Sequence, residues 1–214
     1  MFHLLVVACI TYSFTIVLWI YLRKKTDISV IPLIVGVLAY LLMIGLPRGI
    51  VRLVILNDEI KQTPWLYYIL SALLAGLFEE VGRYVVFKRI IPNNDRWSDA
   101  IAYGIGHAMT EEVILSHLSD CSVYEAFWGA FEVACGVIFS IAMSVLVFVS
   151  VHHADNKKFM YVAVGLHTFM DILGSLLLMH IISFELSIII IPLFTACVCV
   201  YAYKVYKEYD YIQL

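Results

Sequence analysis

Three stretches of this 214-residue chain set acids, histidines and an arginine at helical spacing inside otherwise apolar sequence. The first reads Gly76-Leu77-Phe78-Glu79-Glu80-Val81-Gly82-Arg83. On a helix Glu79 and Arg83 are four residues apart and Glu80 and Arg83 three, so both carboxylates can reach the guanidinium. Two adjacent acids with one arginine leave a net negative charge, which a plain neutralising ion pair does not explain. The acids also point about 100° apart around the helix. One can be held ionised by Arg83 while the other faces elsewhere, a division that gives one site a base and an orienting group. The second stretch holds His107 and Glu111, four residues apart on one face, with Gly104 and Gly106 allowing another backbone to approach beside the histidine. The third holds His167 and Asp171 at the same spacing, after Gly165.

Glutamate and histidine facing one cavity can polarise water. Either Glu79 or Glu80 acts as general base, or the imidazoles of His107 and His167, with Glu80, bind a divalent metal such as zinc that lowers the pKa of the water. No serine or cysteine lies in an evident nucleophile motif, so covalent catalysis is less attractive. The cysteines (Cys9, Cys121, Cys135, Cys197, Cys199) show no metal-knuckle or redox spacing. His3, His117, His152, His153 and His180 fall at span ends or in loops and receive no role.

The elements that must position these residues are membrane helices. Hydrophobic residues make up 63% of the chain and charged ones 14%, against roughly 25% charged in soluble domains; the mean hydropathy is +0.92. Apolar runs near the length needed to cross a bilayer fall at 2–22, 29–46, 65–87, 99–118, 128–150, 159–181 and 186–206. The expectation is an all-α, polytopic transmembrane bundle of about seven helices forming a single integral membrane domain, 1–214, with a connection of about 18 residues after Pro47. The first run lacks a positively charged start and a cleavage site, and reads as a retained helix. A net charge of −3 and no basic patch exclude nucleic acid as a partner. Of the 14 Lys and Arg residues, ten fall in alternate segments (Arg23 to Lys25, Lys88 to Arg96, Lys157 and Lys158, Lys204 and Lys207), and only Arg48, Arg52 and Lys61 lie on the other side. The ten-cation side is expected to be cytoplasmic, with the N-terminus outside and the C-terminus inside. Trp19, Tyr21, Trp65, Tyr67, Tyr68 and Trp97 fit interfacial belts.

Depth ties the polar stretches together. Glu80 lies about eight residues before cytoplasmic Lys88, and His107 and His167 each lie about eight residues after the cytoplasmic ends of their spans. At 1.5 Å per residue all three sit roughly 12 Å from that surface. Ionisable groups at such depth are costly and point to function. Structural hydrogen bonding between helices is the alternative for any one pair. A small transporter or proton relay is another, although one layer is not a ladder across the membrane.

Taken together, Phe78-Glu79-Glu80-Val81-Gly82-Arg83-Tyr84, Tyr103-Gly104-Ile105-Gly106-His107 with Glu111, and His167-xxx-Asp171 resemble the YhfC-type membrane peptidases, over about residues 65–175. Those are similar to the larger superfamily of CAAX, bacteriocin-processing and PrsW membrane proteases. The resemblance implies a helical intramembrane protease of the cell membrane, with a cavity open to the cytoplasm and a membrane-embedded or interfacial peptide as substrate. Glu79 or Glu80 would be the base and His107 its partner; His167 and Asp171 would be oxyanion stabilisers or ligands. The family pattern also carries an acid-Arg pair and a histidine in the fifth span, where this chain has Glu132, Val133 and Ser140. A degenerate relative, an immunity or peptide-binding membrane protein without hydrolysis, therefore stands as the alternative. The resemblance leaves the metal and the oligomeric state open. A green fluorescent protein fused after Leu214 is expected to fluoresce and alkaline phosphatase at the same point to stay inactive; the opposite pattern contradicts the topology.

Overall fold

The computed structural model describes residues 2–115, 123–152 and 157–210, and among these every regular element is helical. In chain order they are α1 (Phe2–Lys25), α2 (Val30–Ala39), α3 (Leu46–Ile55), the single turn α4 (Asp58–Lys61), α5 (Pro64–Val85), α6 (Trp97–Leu115), α7 (Val123–His152), α8 (Lys158–Leu178) and α9 (Phe184–Asp210). Local chemistry marks several ends. The Ser29 side chain accepts the Ile31 amide at 3.2 Å at the start of α2, and Asn57 accepts that of Ile60 at 3.1 Å at the start of α4. Pro64 opens α5, where a missing N–H costs nothing. His180, with φ of 55°, closes α8 in the left-handed conformation, and the Ile181 amide returns to the Leu176 carbonyl at 3.0 Å.

Four helical segments are long and apolar enough to cross a membrane: Val30–Ile55, Phe127–His152, Lys158–Leu178 and Phe184–Tyr209. The first corrects the expected connection after Pro47. α2 and α3 form one continuous rod joined by π-wound turns over Tyr40–Gly45. A proline in an α-helix lacks a donor and crowds the carbonyl four residues back; the wider winding just before Pro47 relieves both, so the helix continues. The apolar residues beyond it, Ile50, Leu53 and Val54, face outward, with Leu53 82% exposed.

α7 is the central helix, touching α1, α6, α8 and α9. Its buried Met143, Leu146, Val147 and Phe148 meet Phe87, Tyr103 and Ala163 in the main core. α5 pairs with α8, and α2 with α6. The second pairing is close because Gly36 and Gly106 interlock. A Cβ on Gly36 would meet the Tyr103 carbonyl and, at 3.0 Å, the His107 amide, while one on Gly106 would strike the Leu33 carbonyl. Gly165, by contrast, has open space where a Cβ would be. Gly106→Val is accordingly expected to cost about 1–3 kcal/mol, measured by unfolding in mixed micelles, with Gly165→Ala as an unaffected control.

Candidate active site

α5 carries Glu79, Glu80 and Arg83 on the face it turns toward α6, α7 and α8, and all three are sealed from solvent, at 0%, 0% and 1% exposure. Their partners differ. The Oε2 of Glu79 lies 3.0 Å from Nε2 of His107 on α6, and its Oε1 receives Arg48 from α3. Glu80 receives Arg83 Nη1 on both oxygens, at 2.9 and 2.8 Å, and its Oε1 lies 2.7 Å from Nδ1 of His167 on α8. Each carboxylate therefore has one guanidinium and one imidazole of its own. A carboxylate only accepts, so the nitrogens facing Glu79 and Glu80 donate. That leaves His167 Nε2 turned toward the space beside Glu79, 3.7 Å from Glu79 Oε2 and 3.9 Å from Asp171 Oδ1.

Aromatic and hydroxyl groups hold this layer. Tyr40 meets the His107 ring edge-on at 5.1 Å, and its OH accepts from Arg48 Nη2 at 3.1 Å. Tyr103 lies across Arg83, with 5.9 Å from guanidinium to ring centre. Phe139 meets His167 edge-on at 5.8 Å. Ser140 of α7 accepts from Arg83 Nη2 at 3.3 Å and donates to the Gly104 carbonyl at 3.1 Å. Of the departures from the family pattern, only Ser140 touches the site. Val133 is buried in the apolar cluster with Tyr12, Ile105 and Ala108, and Glu132 is exposed.

Glu79, Glu80, Arg83, His107 and His167 thus meet in one network, Asp171 borders it, and Glu111 joins it on the His107 side. One ligand atom from each of Glu79, His107 and Glu111 can be chosen so that all lie within 4.8 Å of one another. Two carboxylates and an imidazole suit zinc, and His107 Nδ1 is buried without a hydrogen-bond partner. The donor set fits a divalent metal. Glu80, read from sequence as a ligand beside His107 and His167, is instead taken up by Arg83 and His167, and Glu79 stands beside His107.

Arg48 and Tyr40 are the site residues that the sequence reading missed. The sequence puts Arg48 in an outer loop because Pro47 looks like the end of a span. The signal was the apolar run that resumes at Gly49-Ile50-Val51, which marks helix on both sides of the proline. His117 and His153 lie outside the described residues.

The chain is a helical membrane protein with a buried Glu/His centre. It belongs to the family of YhfC intramembrane metalloproteases, whose sequence profile matches residues 10–123 and 112–192. It is similar to the uncharacterized membrane protein YhfC of Bacillus subtilis (strain 168), at 29% identity over 119 residues, which is 53% of this chain and 46% of the relative. The chain thus spans about half the length of that relative. No solved structure matches it.

Removing Arg83 strands Glu80 in an apolar interior. Arg83→Leu is expected to cost about 3–5 kcal/mol. Ser140→Ala, which takes one acceptor from Arg83, should cost about 1–3 kcal/mol. Chemical unfolding in mixed micelles checks both; equal stability of native and Arg83→Leu proteins contradicts the network.

Proposed function

We propose that this chain is an intramembrane peptidase of metallo or glutamic type, cleaving a membrane-embedded or interfacial peptide in the bacterial cell membrane. The observation that carries the reading is the pair of adjacent glutamates, each hydrogen-bonded to a histidine from a different helix. Family membership supports the reaction class. In this reading α1, α5 and α6 cross the membrane with the four apolar segments, making seven spans, with the C-terminus in the cytoplasm.

Each residue has a task. Glu79 and His107 hold the attacking water and take its proton, within the hydrogen-bond reach that general base catalysis needs. Arg83 and Glu80 lock His167 so that Nε2 faces the same space and can pass a proton to the leaving amine. Arg48, less buried than Arg83, stands ready to offset negative charge on the carbonyl oxygen. In the metallo form Glu79, His107 and Glu111 would instead hold a divalent metal, which would supply Lewis-acid polarisation and a more acidic water. The surrounding apolar helices keep other water out.

Ser140 favours one second reading, a relative that binds a peptide without cutting it, because a hydroxyl is a far weaker ligand than an imidazole.

Metal analysis of the purified protein beside peptide-cleavage assays tests the proposal. About one zinc per chain is expected, lost in His107→Ala and retained in Glu80→Gln, with cleavage at least about 100-fold slower in both. Cleavage with no metal in any form selects the glutamic type. No cleavage of any membrane peptide by the native chain leaves the binding-only reading.

A further inference from the structure

Between α5, α6, α7 and α8, against the network just described, lies a cavity of about 170 Å³. Small-molecule sites run to roughly 300–1,000 Å³, so this one suits a single side chain. It exists because α7 presents Gly136 and Ser140 here, one turn apart. A Cβ on Gly136 would collide with the Glu112 carboxylate, which leans over the bare backbone.

Its walls differ in chemistry. Glu111 and Glu112 line one side, and neither carboxylate has a hydrogen bond or a close ion pair among the described residues. Asp171 lines another, 3.9 Å from His167 Nε2. By contrast Glu79 and Glu80 each own a guanidinium. Arg83 also borders the cavity, 1% exposed, and its Nε is buried with no acceptor. Met143 and Met170 complete an apolar wall. Glu112 and Asp171 thus have no cation within hydrogen-bonding distance, Arg83 Nε has no acceptor, and the methionines offer thioether surface to a methylene stem. A lysine or arginine residue in a peptide supplies all three: a cationic head, a backbone carbonyl and an apolar stem.

We propose that this cavity is the subsite for a basic residue of the bound peptide, its charged head between Glu112 and Asp171 and a nearby backbone carbonyl on Arg83. The assignment rests on the peptide-processing reading of the site, since it names the residue that such a peptide must present. A low-dielectric pocket strengthens the pairing, because a carboxylate left without a counter-charge there is costly.

The experiment measures binding and cleavage separately. Fluorescent Leu/Ala peptides of about 20 residues, carrying one lysine, norleucine or glutamate at the same place, are titrated against Glu80→Gln protein in phosphatidylcholine nanodiscs. The lysine peptide should bind at least about tenfold more tightly than the norleucine one. Adding Glu112→Gln or Asp171→Asn should bring the two within about twofold, and Glu112→Gln should leave the norleucine peptide unchanged. Matching melting temperatures establish that the variants are folded. Equal binding of lysine and norleucine peptides, a lysine preference that survives both substitutions, or no binding at all overturns the assignment. The same peptides given to native protein separate the two claims. A lysine preference in binding without cleavage removes the hydrolase and keeps the subsite, whereas cleavage indifferent to lysine does the reverse.

Discussion

Two glutamates side by side on one helical turn, both closed off from solvent, are the constraint around which the bundle is organised. An uncompensated carboxylate in an apolar interior is costly, and adjacent ones cannot share a single counter-charge without one being left over. The chain meets this with two separate sets of partners: Arg48 and His107 for Glu79, Arg83 and His167 for Glu80. Because those partners come from α3, α5, α6 and α8, satisfying two adjacent side chains fixes the relative placement of four helices.

Packing follows from that requirement. His107 can reach Glu79 only if α6 is held at a set distance, and Gly36 and Gly106 let α2 and α6 close to backbone contact behind the imidazole. Ser140 performs a comparable task from α7. By donating to a carbonyl of α6 and accepting from Arg83 it ties three helices at one hydroxyl. The π-wound turns before Pro47 let the chain continue as helix, so that Arg48, eight residues past Tyr40, still arrives beside it over Glu79.

Much of this was legible from residue spacing. Acid-histidine pairs four residues apart, repeated in separate apolar runs, could be read as one layer because helical rise converts sequence distance into depth. The helical class was legible for a similar reason, since the apolar runs outlast any soluble core helix. Partner choice was not legible. Glu79 and Glu80 are identical in type and adjacent, and only the rotation of α5 against its neighbours decides which meets His107. Arg48 was hidden by a local rule, that proline ends a helix, overridden here by a local change of winding. Val133 shows the converse. It stands where the family pattern has an arginine, but it packs in an apolar cluster with Tyr12 of α1 and Ile105 and Ala108 of α6, away from the site, a matter of helix rotation that a single sequence does not reveal.

The partner set of Glu80 also constrains how the protein is made. His167 follows Glu80 by 87 residues. Synthesis at about 5–20 residues per second puts roughly 4–17 s between them. During that interval Arg48 and Arg83 are already present but Glu80 lacks its imidazole, and a buried carboxylate short of a partner is costly. The helix gains its full complement of partners only when α8 emerges, so the buried network cannot close until most of the chain has been made.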